Sequence, residues 1–172
     1  MRFVDPPSYV EVLSELYPNL RVTAVGDGTD YDTLKCDSIL PSKDALDLAI
    51  IEKTKERMWS AIQAERDRRR YGGVKIGEHW FHSDDTSRIQ QLGLLLFGAS
   101  IPANLMWKTL SGGFVLMTPT LAQQIFGGIA MSDQGVFTVA EQHKAQMMNH
   151  PNPSTYDYFL STPSWPKIFG EE

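Results

Sequence analysis

The sequence predicts an α+β fold, and three observations carry that expectation. Residues 42–70 hold neither Gly nor Pro and read as one long helix. Two turns, Gly77-Glu78 and Ser111-Gly112-Gly113, lie between short runs of β-branched and aromatic residues and read as hairpins. Between and after those hairpins the apolar residues recur every three or four positions, the period of a helix. The expected order is an N-terminal helix with a small β-hairpin (1–41), a long linking helix (42–70), a hairpin–helix–hairpin–helix domain (71–148) and an extended tail rich in Pro and aromatics (149–172).

In the first segment, Pro6-Pro7-Ser8 leads into a helix. Ser8 can cap it, with Glu11 three residues on to complete a capping box. Val10, Leu13, Leu16 and Tyr17 fall on one helical face, and Pro18-Asn19 ends the run. Residues 20–25 alternate apolar and polar and read as a strand, with a partner expected over residues 34–39. The connecting cluster Gly26-Asp27-Gly28-Thr29-Asp30-Tyr31-Asp32 is rich in carboxylates. It lacks the closing Glu and flanking helices of a calcium loop, so a solvated turn is expected there.

Ser42 is a good N-cap for the long helix, and Asp44 sits where the helix dipole favours an anion. Leu48, Ile51, Met58 and Ile62 suggest a stripe that Lys55 interrupts and that Glu65 and Arg69 extend. The polar middle, residues 52–57, suits a projecting spacer or a helix that pairs with copies of itself. The run Glu65-Arg66-Asp67-Arg68-Arg69-Arg70 ends it with basic residues that complement the dipole. A salt-bridged helix end is the reading favoured over a nucleic-acid patch.

Gly72-Gly73 breaks the helix. After the first hairpin, Ser83-Asp84-Asp85-Thr86 supplies caps for a helix starting near Thr86, along which Ile89, Leu92, Leu96 and Phe97 continue an apolar stripe. The segment from Gly98 to Pro102 stops it. Beyond the second hairpin, Thr118-Pro119 opens another helix, with a hydroxyl cap and Pro at the first position. Leu121, Ile125, Ile129 and Met131 are expected to pack one side of it. Val136, Val139, Ala140, His143 and Met147 carry the stripe onward. Gly127-Gly128 inside this helix implies a close backbone contact or a kink. The tail's Tyr156, Tyr158, Phe159, Trp165 and Phe169 should wrap against a protein surface.

Composition sets further bounds. The chain has 172 residues, 42% hydrophobic and 22% charged, in the ordinary globular range. A net charge of −5 weighs against general phosphate-backbone binding. Cys36 is the sole cysteine and is expected as a small, partly buried thiol on a strand. The N-terminus has no apolar signal-peptide core. The longest apolar run, from Leu92 to Ala99, is broken by Gly93 and Gly98 and falls short of the ~20 residues of a membrane span. A soluble, non-secreted product with no nucleic-acid or membrane partner is expected.

The polar constellation that invites a chemical reading is His79, His82, Asp84 and Asp85. On a strand, His79 and His82 would point to opposite faces, which is poor ligand spacing. No second His pair or Cys cluster follows at zinc-site spacing. His82 with Asp84 could form an acid–base pair, but Asp84 as a helix cap is the favoured reading. His143 is expected as a satisfied core or interface residue. Trp80 and Trp107 are expected in packing between the hairpins, with an aromatic ligand platform as the alternative. No nucleophile elbow or phosphate-binding loop appears. The sequence therefore nominates no catalytic, cofactor-binding or metal residue, and no cofactor.

The order Ile62, Glu65-Arg66-Asp67-Arg68-Arg69, Gly73-Val74, Trp80-Phe81-His82-Ser83-Asp84, Ser87-Arg88-Ile89-Gln90, Trp107-Lys108-Thr109, Gly113-Phe114-Val115, Thr118 and Leu121-Ala122 resembles a domain of unknown function seen in tailed bacteriophage and prophage proteins. The similarity covers about residues 58 to 148. Pro41-Ser-Lys-Asp-Ala45-Leu46 is similar, more weakly, to helices that follow small modules in phage tail proteins. The resemblance implies a non-enzymatic tail structural or adaptor protein linking a tail fibre or spike to the tail. It would reside in the virion after assembly in the bacterial host cytoplasm, with other tail proteins (fibre, spike or baseplate) as partners. A homo-oligomer follows, with a trimer the form that matches fibre symmetry. The alternatives are a fibre-assembly chaperone that leaves the particle and an enzyme acting through His79, His82 and Asp84.

Overall fold

The computed structural model describes residues 3–171, and it is α+β, with four helices and three two-stranded antiparallel sheets. The helices are α1 (Tyr9–Leu16), α2 (Lys43–Arg70), α3 (Asp85–Phe97) and α4 (Pro119–Met148). The strands are β1 (Val22–Thr23), β2 (Lys35–Cys36), β3 (Val74–Ile76), β4 (His79–Phe81), β5 (Met106–Lys108) and β6 (Phe114–Leu116). Each strand pairs only with its neighbour in sequence. The expected strands over 20–25 and 34–39 shrink to two residues each, because the turn between them folds on its own side chains. Asp27 accepts from the backbone and hydroxyl of Thr29, and Asp30 caps a short 3₁₀ turn by accepting from Asp32.

The described chain forms two compact units. The first comprises residues 3–62 and 143–161; the second comprises residues 63–142 and 162–171. Helices α2 and α4 contribute to both.

In the first unit, Ser8 caps α1 by accepting from the Glu11 N–H at 3.2 Å. The Glu11 carboxylate pairs with Arg57 on α2, a partner the capping-box reading did not supply. Tyr9, Val12 and Leu13 are buried with Leu34 and Leu46, whereas Leu16 and Tyr17, expected on that face, are exposed. Docking α1 on α2 fixes which side of α2 turns inward. Ala49 and Ile50 pack on this core and Thr54 is buried, so Leu48 and Ile51 of the expected stripe face outward. Met58 and Ile62 are buried as expected. The polar middle of α2 does not stand clear of its own unit. Lys53 pairs with Glu15 of α1, and Arg57 reaches the Asp5 carbonyl at 3.0 Å. His143 is fully buried, with Nδ1 2.8 Å from the Tyr156 hydroxyl, which itself donates to Gln146. Cys36 is half-buried on β2, its thiol 2.7 Å from the Ser38 carbonyl.

The core of the second unit gathers Val74 and Phe81 from the first hairpin, Leu94 from α3, Met117, and Ala122, Ile125 and Ile129 from α4. The antiparallel register sets Val74 opposite Phe81 and places both side chains on the inner face. Gly128 lets this hairpin approach α4. A Cβ there would lie 2.5 Å from Ile76 Cδ1 and 3.3 Å from Val74 Cγ2, so the helix-weakening glycine meets the expected close contact. Met131, expected on the packed side, is exposed. The tail's Trp165 and Ile168 are buried, and Phe169 meets Trp80 edge-on at 6.1 Å.

The basic end of α2 is consumed within this unit. Arg69 donates to Glu65 at 2.5 Å, to the Pro166 carbonyl at 2.6 Å and to Glu171 at 2.9 Å, with Trp165 against its guanidinium. Arg68 donates to both Glu65 oxygens and to Glu171. Removing one partner from a buried pair of this kind costs about 3–5 kcal/mol, because the other charge is left stranded. Burial pushes the Glu171 carboxyl up, but hydrogen bonds and charge from Arg68 and Arg69 outweigh it and hold the group below its ordinary value of 4.5.

A depressed carboxyl stabilises the fold above its unfolded-state value and loses that contribution as the pH falls through the folded-state value. Chemical denaturation as a function of pH should therefore show stability declining as the pH drops below 4.5, with Glu171→Gln less stable at pH 7 and flatter across that window.

Candidate docking face

The site is built from the turn that starts α3. Asp84 accepts from the Ser87 N–H at 3.0 Å and from its hydroxyl at 2.6 Å, closing the N-terminus of the helix. Those two bonds, the hydroxyl's first, hold the Asp84 carboxyl below the usual carboxylate range. One turn on, Arg88 donates to the Ser83 carbonyl at 2.5 Å and grips Asp133 of α4 through both terminal nitrogens, at 2.6 and 2.9 Å. Gln91 donates to the His82 carbonyl at 2.8 Å. Positions 84, 88 and 91 lie on one helical side, and Leu94 extends that side into the core. The polar anchors thus fix the rotation of α3.

The consequence is an inverted helix. Gln91 is 1% exposed, while Ile89 is 71%, Leu92 45%, Leu96 82% and Phe97 62% exposed. The stripe expected to face the core faces away from it, because the inward side is already occupied by Arg88, Gln91 and Leu94. Gly93 lies at the middle of the outward face, between Ile89 and Phe97. A Cβ there would meet nothing within 4 Å. No charged side chain occurs in residues 89–107. A second apolar face lies on the same unit. The β5–β6 register pairs Met106 with Leu116 and Lys108 with Phe114 on one side of the ribbon, and Met106, Phe114 and Leu116 are exposed. Trp107 and Val115 take the inner side. Sequence reading missed the outward face of α3, although one signal was available: apolar residues surround the second half of the helix, so they cannot all face one core.

The polar constellation disperses around this helix. His82 and Asp84 approach to 4.0 Å, but both Asp84 oxygens are engaged in the cap. His82 borders an open depression with Ser87, Gln90, Trp107 and Lys108. His79 sits on β4 with its ring edge-on to Phe81, and Asp85 accepts from the Tyr71 hydroxyl at 3.1 Å. Among the described residues, no three His, Cys, Asp or Glu side chains gather as metal ligands would, and no helix is long and apolar enough to cross a membrane. Trp80 lies against the tail and Trp107 against the core, with a backbone bond from Leu110 N–H to the Trp80 carbonyl joining the two hairpins.

A family model described as a domain of unknown function (DUF4376) matches residues 53–160, a span that contains all of α3. No curated protein and no solved structure matches the chain.

Asp84→Ala should cost about 1 kcal/mol through loss of the cap, whereas His82→Ala, at a partly exposed ring, should fall within about 0.5 kcal/mol of the parent. Urea denaturation of the two variants checks this. The reverse order would return His82 to the centre of the site.

Proposed function

We propose that this chain, which belongs to the DUF4376 family of domains of unknown function, is a non-enzymatic structural or adaptor protein of a tailed-phage tail. Its partners would be other tail proteins, and its role to join a fibre or spike to the tail. The observation that carries a protein-binding role is α3, which buries Gln91 while Ile89, Leu92, Leu96 and Phe97 stand in solvent. Water around four large apolar side chains on one helix is unfavourable by roughly 25 cal/mol per Å². A partner that covers them recovers that energy. An uncharged stripe of this kind supports docking of another protein surface more than it supports turnover of a small polar substrate. The phage setting rests on the order of motifs from Ile62 to Ala122, and the virion is the location it implies.

Mass spectrometry of purified virions from a phage encoding the chain tests this reading. An adaptor is retained at a fixed copy number, and Leu96→Glu on α3 should deplete it from the particle while the isolated protein stays folded. A chain that assembly requires but that is absent from the finished virion would replace this reading with the chaperone.

A further inference from the structure

The depression beside His82 differs in chemistry from the apolar face of α3. It encloses about 320 Å³ and is bounded by His82, Ser87, Gln90, Trp107 and Lys108, a volume near the lower end of small-ligand sites. There is room for a ring and its substituents rather than for a long chain. Three elements build it. His82 follows β4, and Gln91 donates to its carbonyl at 2.8 Å, which holds that wall in place. Ser87 and Gln90 lie three residues apart on α3 and share a side of the helix. Trp107 comes from β5, where it packs on the core but is only half-buried, so part of its indole is left to the depression. The exposed Lys108 completes the boundary.

The polar groups on these walls select the occupant. Among the described residues, the Gln90 amide, the Trp107 indole N–H and the Lys108 ammonium have no hydrogen-bond partner. Ser87 gives its proton to Asp84 at 2.6 Å, which leaves its oxygen as an acceptor. Asp84 is occupied by the helix cap, and no carboxylate is among the residues that bound the depression, so Lys108 is the charge that sets its sign. Donors and acceptors are mixed: the amide and the imidazole offer both, the hydroxyl accepts, and the ammonium and indole donate. A simple anion would call for donors alone. A nucleic-acid strand would call for a row of cations, where this site has one lysine on a chain of net charge −5. A sugar ring matches both features. Its hydroxyls each donate and accept, and its C–H groups form an apolar face that can lie against an indole. We infer that the depression binds a saccharide unit that carries a carboxylate. The ring lies against Trp107, hydroxyls meet Gln90, Ser87 and His82, and the carboxylate meets Lys108. This site does not depend on the docking role of α3.

Titration of the full-length, nitrogen-15-labelled chain by nuclear magnetic resonance tests this. The probes are a hyaluronan tetrasaccharide, which carries glucuronate, maltotetraose as a neutral sugar, and benzoate as an anion with a flat apolar body. The chain has four tryptophans, and Trp107→Phe identifies the Trp107 indole signal by removing it. The hyaluronan fragment should shift that signal and the Gln90 side-chain amide, and leave the Trp59 and Trp165 indoles in place. Gln90→Ala should weaken binding about fivefold, the loss of one hydrogen bond, and Lys108→Gln should reduce it to the level of maltotetraose. Both substitutions are at exposed positions, so the circular dichroism spectrum and melting temperature should stay those of the parent. No movement of the Trp107 signal with the hyaluronan fragment overturns the inference. So does a shift that Gln90→Ala and Lys108→Gln leave unchanged, which would place the sugar elsewhere. Benzoate or maltotetraose binding as tightly as the hyaluronan fragment would also overturn it, the first by showing a general anion site and the second by removing the need for the carboxylate.

Discussion

The grip of Arg88 on Asp133 decides what the second unit presents to its surroundings. The guanidinium meets the carboxylate through two bonds while its third nitrogen holds the Ser83 carbonyl, a forked geometry that tolerates little rotation. With Asp84 capping one end and Gln91 tied to the His82 carbonyl, α3 is indexed by polar contacts. Hydrophobic burial alone would turn this helix the other way. Leu94 fills the core from the inward side, and the surplus of Leu, Ile and Phe is left pointing out. A chain selected only to fold would gain by placing those residues inside, and their exposure is the observation on which the proposed docking role rests.

The neighbouring elements support that helix without competing for its outer face. The first hairpin feeds Val74 and Phe81 beneath it and leans on α4 at Gly128. Ser83, at the end of the hairpin, accepts from the Gly73 N–H at 2.9 Å and donates to the Arg70 carbonyl at 2.8 Å, so the start of α3 is tied to the end of α2. Gly73 itself has φ near +95°, a conformation a side chain disfavours, and a Cβ there would run into Leu110. The tail closes the unit through Trp165, Ile168 and the carboxylate of Glu171, which meets the arginines at the end of α2.

Much of this was legible in the residues because the signals are local. Ser8, Ser42, Asp84 and Thr118 all cap helices as their positions suggested, and both glycine turns make hairpins. The face of α4 from Val136 to Met147 was legible because Val136, Val139, Ala140, His143 and Met147 recur every three or four residues, and all five are buried while Phe137, off that stripe, is exposed. What could not be read was set by partners far along the chain. The face of α2 was chosen by α1, so Thr54 went inward and Leu48 and Ile51 outward. The rotation of α3 was chosen by Asp133, 45 residues from Arg88, and no periodicity within the helix reveals that choice. The same gap explains the site. His82 and Asp84 drew notice as polar neighbours, whereas the informative residues were Ile89, Leu92, Leu96 and Phe97, which read as an ordinary apolar stripe.

If α3 is a docking face, its outward side chains are covered when the protein is at work. Hydroxyl-radical footprinting read by mass spectrometry measures that directly, by comparing the dilute chain with the chain in its assembled state. Labelling of Leu92, Leu96 and Phe97 should fall several-fold on assembly while that of exposed Leu160 stays constant. Equal labelling of the α3 side chains in both states would contradict it.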